Sequence, residues 1–396
     1  MILMMKILLV VGARPNFMKA SPILKAIHEF NSIRGDWAGA IEPVLVHTGQ
    51  HYDARMSDTF FADLEMPQPD VFLGAGSGSH AEQTAEILKR FEPVLLKERP
   101  EVLLVVGDVN STLACALVAS KLPATCRPSV AHVEAGLRSF DREMPEEINR
   151  ILTDQISDLL FVTEESGVCN LRAEGVPAEK IHLVGNTMID SLREYEARAD
   201  RSAILQKLTL AKRRYALLTL HRAANVDEQD ALGEILQGLN ELSALVPIVF
   251  PVHPRTRKKL DELGPDAYLT ANTRIIEPLG YLDFLCLMKN ARLVVTDSGG
   301  IQEETTALGI PCVTARENTE RPITVNSGTN ILGGTRRDTI AAAIRAQLAS
   351  IRKSAVPDLW DGRAGARIVG ILAERFMHSE TPPVDSESGQ IVQNAR

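Results

Sequence analysis

KILLVVGARPNFMKASP, residues Lys6–Pro22, decides how the chain is read. After its lysine, Lys6–Val11 is apolar at every position, which fits a strand buried on both faces. Gly12 makes a turn, and Pro15 suits the first position of a helix, where its missing N–H costs nothing. Strand, glycine turn and helix together open a parallel α/β unit. Arg14 and Lys19 flank the helix start, where backbone N–H groups favour an anion such as phosphate. A turn with two solvated basic residues explains them equally well. Almost no charge precedes the apolar run and a turn follows it, so it reads as a buried first strand instead of a signal peptide.

Outward from this unit the pattern recurs. Pro43–Thr48, Val102–Val106, Ser129–Val133, Leu159–Thr163 and Ile181–Val184 read as strands, with helical patterns at Pro22–Phe30, Ala81–Lys97 and Leu113–Lys121. A second series follows at Tyr215–Leu220, Pro247–Val252, Thr273–Ile276, Leu293–Thr296 and Pro311–Thr314. Apolar strands alternating with helices predict parallel sheets covered on both sides. The expected architecture is α/β, with two Rossmann-like domains and the active site in the cleft between them. The 396 residues exceed the roughly 250–300 that one core serves. The expected domains are 1–190 and 191–378, joined near Asn186–Arg213, and the polar, Pro/Ser-rich 379–396 reads as a disordered tail.

Composition excludes several classes. A net charge of −8 offers no electrostatic argument for nucleic acid or an anionic membrane. No apolar run approaches the ~20 residues of a membrane span. The five cysteines are odd in number and contain no CxxC pair, which fits reduced thiols in a cytosol better than disulfides or structural zinc. No HExxH or similar spacing points to a metal. GxGxxG is absent, which disfavours a nicotinamide dinucleotide.

Ligands of parallel sheets sit beyond the carboxyl ends of strands, so the residues there carry the functional reading. Val106 leads into Gly107-Asp108, where the aspartate serves either as a helix cap or as a catalytic carboxylate. Glu134 ends a buried strand and has no capping role to explain it. Glu146 and Glu147 open the amphipathic helix of MPEEINRILTDQISDLL, where the helix dipole alone accounts for both acids. His221-Arg222 and His253-Pro254-Arg255 follow two strands of the second series, and a pair of histidines at equivalent strand ends favours function over packing. Asp297-Ser298-Gly299-Gly300 lets backbone approach a diphosphate at a helix start, the strongest anion signal in the chain. Glu303 or Glu304 then suits a ribose diol, and Arg321 suits the same phosphates.

Eight motifs lie in order between Val11 and Pro322: GARPNFMKASP, VVGDVNST, AHVEAGLRSFDREMPEEINR, VGNTMID, TLHR, PVHPR, TDSGGIQEE and ENTERP. The set resembles the non-hydrolysing UDP-N-acetylglucosamine 2-epimerases across nearly the whole chain. The resemblance implies a glycosyltransferase-B-like fold, usually a homodimer, with UDP in the cleft and no metal or redox cofactor. It implies cytoplasmic nucleotide-sugar chemistry for cell-surface polysaccharide. The implied reaction eliminates UDP to leave a bound 2-acetamidoglucal, then adds UDP back with a proton on the other face. Asp108, Glu134 and Glu146 match the family's catalytic carboxylates, and His221 its active-site histidine near the diphosphate. Arg14, Lys19, Ser298, Gly299, Gly300, Glu304 and Arg321 match UDP-binding positions, Phe284 matches the residue beside the uracil, and His253 is placed with the substrate-binding set.

Two departures matter. Ala223-Ala224 follow His221-Arg222 where many bacterial members have HRRE, and Tyr52-Asp53 follow Gln50-His51 where they carry a second glutamine. Both positions belong to the family's activating UDP-N-acetylglucosamine site, so weak or absent activation is expected. Rival expectations are the same chemistry on UDP-2,3-diacetamido-glucuronate, a glycosyltransferase of this fold, a hydrolysing epimerase, and a non-catalytic UDP-sugar binder.

Overall fold

A computed structural model describes residues 4–34, 40–50, 65–252, 254–264, 268–349 and 355–377. Two parallel sheets organise them. The first contains β1 (Met5–Val11), β2 (Ile41–His47), β3 (Val71–Phe72), β4 (Val102–Val106), β5 (Ser129–Ala135), β6 (Leu159–Val162) and β7 (Ile181–Leu183), in the order β3-β2-β1-β4-β5-β6-β7. The second contains β8 (Ala216–Thr219), β9 (Ile248–Pro251), β10 (Thr273–Ile276), β11 (Leu293–Thr296), β12 (Cys312–Thr314) and β13 (Asn330–Leu332), in the order β10-β9-β8-β11-β12-β13. Strand order reverses between β1 and β4 in the first sheet and between β8 and β11 in the second. These are the switch points where parallel sheets leave a crevice for ligands.

The double burial expected of β1 is realised residue by residue. Ile7, Leu9 and Val11 pack into one apolar core, while Leu8 and Val10 face another on the opposite side of the sheet. The sequence reading gives no range for β3 or β13. Both are very short.

The first helix, Arg14–Arg34, starts earlier than the expected Pro22–Phe30 and runs through Pro22. Proline lacks the N–H that would bond the carbonyl four residues back. Here that carbonyl, of Met18, accepts instead from Ser191 Oγ at 2.6 Å. Ser191 lies on the helix Thr187–Ala199, which packs against the Arg14 helix, and against the helices Tyr281–Asn290 and Gly299–Leu308 of the second half.

The last described helix, Ala364–Met377, returns to the first half and packs on the Arg14 and Thr187 helices. The sequence reading assigns this segment to the second domain, but its polar anchors belong to the first sheet's side. Gly365 N donates to Asp190 Oδ2 at 2.7 Å, and Arg367 donates to the Val184 carbonyl at 3.0 Å. Just before the helix, buried Trp360 donates to the Thr163 carbonyl at 3.1 Å. Among the described residues no helix is long and apolar enough to cross a membrane. The segment read as a disordered tail lies outside the described residues.

Candidate active site

The candidate residues gather at the two switch points. After β4, Gly107 takes a φ of +69°, a left-handed conformation that favours glycine, and delivers Asp108. The capping role weighed for Asp108 is not used. Val109 is the N-cap of the helix Asn110–Lys121, which has no side-chain cap. Asp108 instead ion-pairs with Arg150, on the helix Pro145–Ile156. Burial opposes its charge, yet Arg150, Lys19 and Arg321 outweigh that and hold its pKa below the usual carboxylate range.

Glu134 sits at an irregularity in β5, where the register with β6 shifts between Val133 and Ala135. Its φ of +74° is rare for a residue with a side chain, and such backbone concentrates at functional sites. The buried carboxylate ion-pairs with Lys19 from the Arg14 helix and with Arg321 from the second half. Arg321 is in turn enclosed by three carboxylates: Glu134, Glu320, and Glu303 at 2.8 Å from its Nε. Burial, with Glu134 nearby, pushes Glu303 up to about 8 against the pull of Arg321. Glu320 is equally buried, but Arg321, Arg316, Arg222 and Arg150 hold it well below the ordinary value.

Glu146 and Glu147 part company on the Pro145 helix. Glu147 is buried, pairs with Arg150 at 2.6 Å, and accepts from Ser139 N at 3.0 Å and Phe140 N at 2.8 Å. It pins the loop after β5. Glu146 is half-buried and makes no side-chain hydrogen bond or ion pair among the described residues.

On the second sheet, His221 follows β8 and its Nδ1 lies 2.8 Å from Oδ1 of fully buried Asp297, after β11. Asp297 also accepts from Arg222 N at 2.9 Å and Asn225 Nδ2 at 3.2 Å. Burial works against the Asp297 charge, but the His221 side chain and the backbone N–H groups of Arg222 and His221 keep its pKa below the usual range. With Nδ1 engaged and 55% of the side chain exposed, Nε2 is the nitrogen left for a ligand. Ser298 is the N-cap of the helix Gly299–Leu308 and makes no side-chain cap bond, so the first N–H groups are not taken by that side chain. A Cβ on Gly299 would collide with the Arg321 guanidinium, so glycine lets Arg321 lie against the helix start. One turn on, Glu304 is pushed up to about 7 by burial, and Tyr281 Oη donates to its Oε1 at 2.9 Å. Phe284 packs half-buried nearby on the Tyr281 helix. A cavity of about 600 Å³ opens beside the ends of β9 and β10, lined by Val252, Ile276, Glu277 and the helix residues Arg257, Lys258, Asp261 and Glu262.

The site therefore joins Lys19, Asp108 and Glu134 of the first sheet to Arg321 of the second, with His221, Ser298, Gly299 and Gly300 along the second sheet's switch point. His253 and the Arg14 side chain lie outside the description. Sequence reasoning assigned no role to Arg150, Asp297, Arg316 or Glu320. Arg150 was detectable four residues after Glu146 on the same helical face. Asp297 and Glu320 stand inside quoted motifs, next to residues that drew attention first. Among the described residues no group of three or more His, Cys, Asp or Glu side chains is arranged to hold a metal ion.

Two parallel sheets, joined by a buried cluster of carboxylates and cations, form a glycosyltransferase-B-like α/β fold. The profile described as UDP-N-acetylglucosamine 2-epimerase matches residues 36–373. The chain belongs to this family and is an epimerase, an isomerase class of enzyme. It is 46% identical over 376 residues to the UDP-N-acetylglucosamine 2-epimerase of Methanocaldococcus jannaschii, covering 93% of this chain and 99% of that one. The crystal structure of the M. jannaschii enzyme in complex with UDP-GlcNAc and UDP superposes with a TM-score of 0.85 at 45% identity, covering 93% of this chain and 100% of that one. The UDP-2,3-diacetamido-2,3-dideoxy-D-glucuronate 2-epimerase of Pseudomonas aeruginosa is 43% identical over 373 residues, covering 93% and 100%.

Proposed function

We propose that the chain interconverts UDP-N-acetylglucosamine and UDP-N-acetylmannosamine without hydrolysis, through a bound 2-acetamidoglucal. The observation that carries this reading is the Glu134 carboxylate, held by cations from both halves of the molecule. Elimination takes the proton from carbon 2 and breaks the bond from carbon 1 to the UDP oxygen; re-addition reforms that bond and delivers a proton to the opposite face. Such chemistry needs acid–base groups around one sugar and cations for the departing diphosphate. Asp108, Glu134 and Glu146 supply the first. Arg321, Lys19, Nε2 of His221 and the start of the Gly299 helix supply the second. The nucleoside lies toward Glu304 and Phe284, and substrate is bound by both domains. The same reading takes the enzyme to be a cytosolic homodimer serving cell-surface polysaccharide synthesis, with little activation by a second UDP-GlcNAc.

Proton NMR of the purified protein with UDP-GlcNAc in deuterated water, and nothing else added, tests the proposal. UDP-ManNAc should appear with deuterium at carbon 2 and no loss of UDP. Release of free ManNAc together with UDP would replace the reading with a hydrolysing one. The P. aeruginosa relative supports one second reading, the same reaction on UDP-2,3-diacetamido-glucuronate. Turnover of that sugar, with UDP-GlcNAc inert, would establish it.

A further inference from the structure

We infer that Tyr281 is a positioning residue that fixes Glu304 to receive the ribose diol of the nucleotide, an inference that rests on the UDP-sugar reading above. Glu304 is 4% exposed, and its Oε1 is committed to the Tyr281 hydroxyl at 2.9 Å. Its Oε2 has no partner among the described residues. A buried carboxylate with one oxygen tied down presents the other in a fixed direction, which suits a pair of vicinal hydroxyls. Tyr281 is itself held. It is 6% exposed, begins the helix Tyr281–Asn290, and stands edge-on to Tyr195 with ring centroids 6.1 Å apart. Arg198 covers Tyr195 at 5.4 Å from its ring centroid. Tyr281 and Phe284 are three apart, so they share one face of their helix. That face serves both ends of a nucleoside: Phe284 beside the base, and Tyr281 beneath the carboxylate that meets the sugar.

The test is calorimetric binding of UDP and of 2′,3′-dideoxy-UDP, which lacks both hydroxyls. The wild-type protein should prefer UDP by about tenfold or more, the scale of a hydrogen bond to a charged group. Tyr281→Phe should narrow that preference to within about threefold by weakening UDP alone, and should raise KM with kcat little changed, the signature of lost uniform binding. Tyr281→His keeps a donor and should recover part of the preference. Phe284→Leu should weaken both ligands alike. A folded Tyr281→Phe protein, checked by thermal melting, that keeps the full preference overturns the inference. So does equal loss in the Phe and His variants, which would assign Tyr281 to packing alone. Failure of the wild-type protein to bind UDP would instead overturn the nucleotide-sugar reading, and this inference with it.

Discussion

Glu134 occupies the position that a diphosphate would contest. Lys19 and Arg321, both matched to phosphate contacts, are turned toward it. Glu134→Gln should therefore bind UDP about tenfold more tightly than wild type, since no carboxylate competes for those cations. The same variant should lose epimerisation by roughly 10²–10⁴-fold, the usual share of a general acid or base. Calorimetry and the deuterium assay check the two halves of this prediction; unchanged UDP affinity would show that the ion pairs do not compete with the ligand. Glu303 and Glu304 make a separate prediction about pH. Their pKa values, about 8 and about 7, lie above the ordinary 4.5, so the folded state holds protons that the unfolded chain releases. Stability of the unliganded protein should fall as pH rises from about 5 toward 8, and level off above. The double variant Glu303→Gln, Glu304→Gln should flatten that decline in Tm. At this scale the sequence reading placed Asp108, Glu134 and His221 at the ends of apolar strands, and the fold sets them at the carboxyl ends of β4, β5 and β8. It was not readable where a side chain is held by a partner distant in the chain, as with Asp297, 76 positions from His221.

Among the elements, strands were legible to within a residue or two, because runs such as Val102–Val106 are apolar on both faces and turn residues bound them. The first helix was misplaced at its start for a physical reason. Pro22 resembles a beginning, and the hydroxyl that lets the helix pass through it lies 173 positions from the Met18 carbonyl it bonds. Ser191→Ala should therefore cost about 1–2 kcal/mol, by leaving the Met18 carbonyl without its buried partner; urea denaturation measures it, and a neutral result would mean that the helix tolerates the gap. The start of the Gly299 helix is the other sensitive junction. Gly299→Ala drives a Cβ into Arg321 and should weaken UDP binding by at least about tenfold while leaving the melting temperature within a few degrees. That glycine was chosen from sequence as a phosphate cradle; its closeness to Arg321 emerges only from the folded arrangement.

For the whole molecule, the two-sheet plan was legible, but the return of the last helix was not. Amphipathic spacing predicts a buried face without saying which half buries it. Trp360 fastens that return, and Trp360→Ala should cost about 3–5 kcal/mol, read by denaturation, because it empties a fully enclosed site and frees the Thr163 carbonyl. The chain thus passes between the halves twice, once between β7 and β8 and again between β13 and the Ala364 helix. Two tethers in place of one reduce the number of arrangements the halves can take relative to each other, which favours the single pairing of Glu134 with Arg321.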